Sequence, residues 1–434
     1  MEPFLVGILA FVILFILIFL KVPIAFAFGL TGFAGIVYLI GLEPAMSVLS
    51  SSVWSNITSY TLMAVPLFVL MGMFANLSGI GNELYTTASR WLGWMPGGLA
   101  IATTWGCAGF AACTGSSSAG MLVFGPISYE PMKQNGYSKT MALGTICCGA
   151  TIGSMIPPSI SFIVYGSITN ESIGKLFMAG VIPGILEAVL YSLTILLLIF
   201  LGIWKGPKGA SSTWKEKFVS LKGVWGMLLL MVLVIGGIYK GIFSPTEASG
   251  IGAIGALIIL LVKKGFNWPA IKTSLLECMR MTCMVFTIII GSIIFARLMA
   301  LSGLNMWLID FFVESTLPPF AIILMAIMVL FVLGFVMPVT STIVLIVPFL
   351  YPIFTNVLGY SGIWFGVIVC VMAEIAVITP PIGMNLFLMK GLFKDASTGE
   401  IYRGVMPFVM ADVVRVILLV LFPAISLWLP GLMG

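Results

Sequence analysis

Two hydroxyl clusters could gather side-chain oxygens around a small cation or a carboxylate: Thr114-Gly-Ser-Ser-Ser118 and Pro338-Val-Thr-Ser-Thr342. About 40 residues beyond each, two prolines break an apolar run, in Ile152-Gly-Ser-Met-Ile-Pro-Pro-Ser-Ile160 and Ile375-Ala-Val-Ile-Thr-Pro-Pro-Ile-Gly383. A proline pair removes two helix hydrogen bonds and pushes the preceding residue out of the helical region. In hydrocarbon the freed carbonyls and amides must find partners: a cation, a substrate or a neighbouring helix. Hydroxyls and carbonyls suit Na⁺, and the N-terminus of a half-helix suits a carboxylate. Asn385, just past the second break, is an amide within an apolar segment, and Glu374, six residues before Pro380, is a carboxylate in the same kind of surroundings. A single proline pair reads as a packing kink, and turn hydroxyls can serve their own backbone. The doubling at matched places favours a binding site.

The matching extends beyond the prolines. At an offset of 223 residues, Gly136-Tyr-Ser138 falls on Gly359-Tyr-Ser361, and eight of the 23 positions from 136 to 158 are identical. Chance would give roughly two, so the chain carries an internal repeat. Two halves with a broken helix at the same place point to a transporter whose site lies between the breaks. Asn385 falls on Phe162, which makes such a site asymmetric.

The elements that position these residues are membrane helices. Hydrophobic residues form 60% of the 434-residue chain and charged residues 8%, too few charges to cover a soluble surface of this size. Runs long enough to cross the hydrocarbon are expected near 3–20, 22–42, 58–78 and 176–203, then near 223–242, 246–262, 277–300 and 405–429. The run from Phe4 to Leu20 lacks a basic n-region and a small-residue cleavage site, so it reads as the first crossing rather than a signal peptide. Amphipathic stretches follow the third run of each half, one with Arg90, Trp91 and Trp94, the other with Asp310 and Glu314. Re-entrant hairpins are expected at about 97–130 and 319–357, and broken helices at about 139–167 and 361–390.

The expected fold is an all-α polytopic membrane protein of two inverted repeats, 1–210 and 211–434, each with five transmembrane helices and one re-entrant hairpin. An odd number of crossings inverts the second repeat. Placing the lysine-rich 204–222 loop inside puts most other basic residues on the same side, with both termini outside. The net charge of +5 therefore reports orientation in the lipid bilayer and no nucleic-acid binding. Glu187, Arg297, Asp412 and Arg415 also lie in apolar runs, and Asp412 and Arg415 are spaced to pair on one helix face.

The absence of histidine removes histidine metal sites and a Ser–His dyad, and no buried lysine offers a Ser–Lys dyad, so an enzyme is not expected. The seven cysteines are scattered in apolar runs without CxxC pairing. A channel would need a continuous polar pore, whereas the polar groups here sit at helix breaks.

Several segments resemble the large membrane subunit of TRAP transporters, the tripartite ATP-independent periplasmic transporters. They are Thr114-Gly-Ser-Ser-Ser118, Gly149-Ala-Thr-Ile-Gly-Ser-Met-Ile-Pro-Pro-Ser159, Ile173-Gly-Lys-Leu-Phe-Met-Ala-Gly-Val-Ile-Pro-Gly184, Phe243-Ser-Pro-Thr-Glu-Ala248 and Glu374-Ile-Ala-Val-Ile-Thr-Pro-Pro-Ile-Gly-Met-Asn-Leu-Phe387. The resemblance covers essentially the whole chain. It implies Na⁺-coupled uptake of an organic acid across the bacterial inner membrane, with substrate delivered by a periplasmic binding protein. It also implies a separate small four-helix membrane subunit as partner. An elevator mechanism follows from it, in which hairpins and broken helices move against a scaffold of the remaining helices. Two Na⁺ ions are implied, one near Ser116, Ser117, Gly153 and Pro157, the other near Thr340, Ser341, Thr342, Thr379 and Gly383. Ser118, Thr151, Ser159, Glu374 and Asn385 are the corresponding candidates for substrate contact. The turn Met337-Pro-Val-Thr340 departs from the acidic or glycine-containing turn expected there. The runner-up is a stand-alone Na⁺/dicarboxylate elevator symporter without a binding protein; a channel or passive scaffold subunit is a remoter alternative.

Overall fold

Serine caps, glycines and prolines cut an almost wholly apolar chain into short and long helices. The computed structural model describes residues 2–209, 211–315 and 317–433, with no β-strand among them. The first half runs through α1 (Pro3–Phe19), α2 (Ile24–Ile40), α3 (Leu42–Ile57), α4 (Ala64–Leu77) and the amphipathic α5 (Ile80–Leu92). A hairpin of α6 (Gly98–Thr114) and α7 (Ser117–Gln134) follows, then a broken helix of α8 (Lys139–Gly149) and α9 (Ile160–Thr169), then α10 (Ile173–Phe200). The second half repeats this order: α11 (Trp214–Tyr239), α12 (Pro245–Lys264), α13 (Trp268–Leu301) and the surface helix α14 (Leu304–Glu314). Its hairpin is α15 (Pro319–Gly334) and α16 (Val339–Pro352), its broken helix α17 (Gly362–Ile378) and α18 (Met384–Leu392), and α19 (Thr398–Leu421) and α20 (Ala424–Gly431) end the chain.

By length and composition six helices can cross a membrane, or seven if α3 and α4 form one span bent by 56°. The ten crossings expected from sequence included α1 and α2, whose 17 residues each reach only about 26 Å. Large apolar side chains such as Val12, Ile16, Val232, Val262 and Ile417 face outward, as lipid contact requires. The chain is a multi-pass membrane protein.

Several boundaries differ from expectation because caps extend helices beyond the apolar runs. The Asn267 side chain accepts from the Ala270 amide, so α13 starts at Trp268 rather than near 277. Capping boxes at Thr213/Glu216 and Ser397/Glu400 likewise start α11 and α19 several residues before 223 and 405. The serine-rich stretch before 58, too polar to read as a crossing, is the helix α3.

Packing crosses between halves. α2 lies along α13, and α4 along α12. Gly32 allows the first contact: a Cβ there would meet the Phe295 amide nitrogen at 2.7 Å. α8 packs on α19, α9 on α16 and α18 on α7. Of the helices expected in the scaffold, α19 packs mainly on the broken helices α8, α17 and α18, and α10 packs most on α20 and α19, then on α6, α17 and α9.

Candidate functional site

The first hairpin tip is tight. α6 ends at Gly115 in the left-handed region (φ +58), and the extended Ser116 caps α7 by accepting from the Ala119 amide at 3.5 Å. A side chain at Gly115 would collide with the Pro158 carbonyl oxygen, so this tip sits directly on the first break. Gly153 closes the same contact: a Cβ there would lie 3.3 Å from the Ser116 carbonyl oxygen. The first break is a 3-10 turn over Ala150–Ser154 followed by Pro157-Pro158, with Ser159 capping α9. The Ser159 hydroxyl donates to the Ser154 carbonyl at 2.5 Å and accepts from the Phe162 amide at 3.4 Å.

The second tip and break are looser. α16 begins after Pro338 with no side-chain cap; Thr342 bonds back to the Pro338 carbonyl at 3.2 Å, and Ser341 is buried without a hydrogen-bond partner among the described residues. Thr379 ends α17 with its hydroxyl on the Ile375 carbonyl at 2.6 Å, and Gly383 (φ +32) precedes α18 without a side-chain cap. Both proline pairs are cis.

The two tips and the two breaks enclose one cavity of about 130 Å³. Its walls are 115–118 of the first tip, 338–340 of the second, Ser154, Ile160 and Ser161 at the first break, and Glu374, Val377, Met384 and Asn385 at the second. Met281, Met284 and Val285 of α13 close it. The Ser118 hydroxyl donates to Asn385 Oδ1 at 3.5 Å, joining the first hairpin to the second break. Glu374 is 1% exposed, and neither carboxylate oxygen has a hydrogen-bond partner among the described residues; the Ser154 and Ser117 side chains lie beside it. Asn385 is 3% exposed with its Nδ2 unpaired. Buried polar groups are normally satisfied, and an isolated carboxylate costs several kcal/mol, roughly, to bury. The cavity therefore offers a carboxyl group and hydroxyls to a cation, and an amide donor to a carboxylate.

Ser116, Ser117, Ser118, Thr340, Glu374 and Asn385, all singled out from sequence, meet at this cavity. Gly153, Pro157 and Ser159 support the first break behind it, while Ser341 and Thr342 follow Thr340 in the first turn of α16. Thr379 and Gly383 belong to the second break outside the cavity lining. Thr151 lies outside the cavity lining: its hydroxyl donates to Glu187 at 2.8 Å and to the Cys148 carbonyl at 2.5 Å. It joins a fully buried cluster in which Arg415 pairs with Glu187 and, at 2.9 Å, with Asp412, while Tyr191 donates to Asp412 at 2.6 Å. The Asp412–Arg415 pair was legible from spacing; its link to Glu187 on α10 was not. Ser154, Ser161 and the α13 residues escaped notice, the serines because they flank the prolines singly and the methionines because nothing distinguishes them from core.

A family profile described as "Tripartite ATP-independent periplasmic transporter, DctM component" matches residues 11–425. The C4-dicarboxylate TRAP transporter large permease protein DctM of Pseudomonas aeruginosa is 34% identical over 93% of this chain and 94% of its own length. The isethionate TRAP transporter permease protein DctMQ of Oleidesulfovibrio alaskensis is 31% identical over 94% of this chain and 64% of its own. In fold, the chain is similar to the YdaH transporter of Alcanivorax borkumensis, with a TM-score of 0.61, 14% identity and 90% of each chain covered.

Proposed function

The chain belongs to the DctM component family of tripartite ATP-independent periplasmic transporters, so it is a transport permease and not an enzyme, and we propose that it moves small organic acids inward with Na⁺. The observation that carries this reading is the shared cavity of both hairpin tips and both breaks, with the Glu374 carboxyl and the Asn385 Nδ2 without hydrogen-bond partners among the described residues. Na⁺ would be held by carbonyl and hydroxyl oxygens at the tips, near Ser116 and Ser117 on one side and Thr340 on the other. Ser118 and Asn385 would hold the substrate carboxylate between them. A C4-dicarboxylate is the first substrate to test, since that is the cargo named for the Pseudomonas aeruginosa relative.

Reciprocal packing supports two inverted repeats: α2 on α13 answers α4 on α12, and α9 on α16 answers α18 on α7. In this reading the hairpins, broken helices, α10 and α19 form the moving body of an elevator in the bacterial inner membrane. α1–α4 and α11–α13 form its scaffold, and both termini lie outside. A small membrane subunit and a periplasmic binding protein complete the assembly; the greater length of the DctMQ relative fits a chain in which a further permease segment is fused.

The test is accumulation of labelled succinate in proteoliposomes holding this chain, its small subunit and its binding protein. Uptake should need external Na⁺ and fall to background when choline replaces it. Equal uptake in choline refutes the coupling, and full uptake without the binding protein favours a stand-alone symporter.

A further inference from the structure

A second polar cavity, of about 450 Å³, lies further along the same three helices that wall the central one. α9 contributes Ile160 and Ser161 to the central cavity, then Ser167 and Thr169 to the second. α16 contributes Val339 and Thr340 to the first, then Val344, Val347 and Tyr351 to the second. On α13, Met281 and Val285 face the first, while Ser292 and Ala296 face the second. Those four residues follow steps of four, seven and four, one stripe of the helix. The α9–α13–α16 seam thus carries a polar chamber at each end, about 24 Å apart along α13 from Met281 to Arg297, with the helices in contact between them.

Arg297 stands in the second chamber. Its guanidinium makes no hydrogen bond or ion pair among the described residues, although it projects from an apolar helix. Of the other polar groups, Ser167, Thr169 and Ser292 bond to carbonyls of their own helices and Tyr351 donates to Glu171 at 2.8 Å, which leaves the exposed Asn170 amide beside Arg297. The chamber lies at the end of α13 remote from Lys263, Lys264 and Lys272, so the positive-inside bias does not account for this charge. Arg297 is exposed and lies one turn before the end of α13, and an exposed cation at the mouth of a cleft attracts anions. We propose that this chamber is an anion-docking vestibule, in which Arg297 receives the carboxylate of the organic acid before it moves on to the central cavity at the other end of the seam. The assignment rests on the organic-acid reading above.

Two measurements test it on the full-length chain. With the exposed Cys283 replaced by alanine, an Ala296→Cys variant is labelled with a sulfonate-bearing and with a trimethylammonium-bearing methanethiosulfonate. Arg297→Gln should lower the ratio of the two rates about tenfold, and Arg297→Lys should preserve it. An unchanged ratio overturns the proposal, and this readout stands even if transport itself proves independent of Na⁺. In proteoliposomes, Arg297→Gln should raise the half-saturation concentration for succinate about tenfold while the maximal rate stays within about twofold. Unchanged half-saturation overturns the vestibule. Protection of the Ala296→Cys thiol by the binding protein alone, without substrate, also overturns it, because the guanidinium would then serve a protein carboxylate.

Discussion

The two proline breaks occupy matched places in the two halves, yet they are built differently. The first is enclosed: Thr151 through Ser159 are buried except for the half-buried Ile156, Ser159 caps the following helix, and Glu187 holds the preceding turn through Thr151. The second has no side-chain cap, and Ile382, Met384 and Phe387 are 43%, 41% and 60% exposed. The hairpin tips differ in the same sense, Ser116 capping one and no side chain capping the other. One half is thus braced from behind, while the other leaves the Glu374 carboxyl and the Asn385 Nδ2 without partners among the described residues.

The largest expected effect comes from removing the brace. Arg415→Met leaves Glu187 and Asp412 buried without a cation behind the first break and should cost about 3–5 kcal/mol. Thermal unfolding in detergent reads this; a midpoint within about 2 °C of wild type would mean the first break is not held from behind. Gly115→Ala comes next, at about 2–3 kcal/mol, because it combines a left-handed backbone with a collision at the Pro158 carbonyl. Normal folded yield of that variant would contradict the tight seating of the first tip.

A matched pair of variants sharpens the division itself. Asn385→Ala should raise the half-saturation concentration for substrate about tenfold, the worth of a buried hydrogen bond to a charged group, with unfolding unchanged. Ser159→Ala should instead cost about 1 kcal/mol of stability as a lost cap and leave half-saturation where it was. The reverse pattern would exchange the roles of the two breaks. Ser117→Ala and Thr340→Ala should each raise the Na⁺ concentration for half-maximal uptake by about threefold, read from uptake against Na⁺ concentration.

The smallest effect is a pH dependence confined to the second half. Glu216, Glu247 and Glu400 accept from the backbone amides and then the hydroxyls of Thr213, Ser244 and Ser397, which hold their carboxyls below the usual glutamate range. With the folded value lowered, this support is present above the ordinary glutamate pKa of about 4.3 and is lost as pH falls through the lowered value. Hydrogen exchange should therefore quicken in acid at the first turns of α11, α12 and α19, and not at α7, α9 or α10, whose caps are serines alone. Equal quickening in both sets would erase that distinction between the halves.

Much of this was legible in the sequence, for physical reasons. Proline pairs and hydroxyl runs in apolar surroundings are conspicuous because hydrocarbon penalises unpaired backbone, so the four irregular segments could be located and their convergence expected. Apolar run length located the helix interiors, but the ends of α11, α13 and α19 depend on caps outside those runs. The partition of roles between the breaks was not legible. Thr151 aligns with Glu374, but whether a hydroxyl faces a cavity or a buried carboxylate depends on a helix 36 residues away, the one bearing Glu187. Nor could spacing reveal that Met281 and Val285 close the cavity, since a helix stripe carries no mark of what it faces.

The 34 residues of α13 reach about 51 Å, well beyond a hydrocarbon layer about 30 Å thick. A helix this long must lean or protrude, and its lean responds to bilayer thickness. Any body that travels along a leaning helix moves sideways in the membrane plane as well as across it. In the elevator proposed above, acyl-chain length would thereby become a control on turnover: vesicles of longer-chain lipids would stand the helix more upright and lengthen the vertical stroke gained per turn of helix passed.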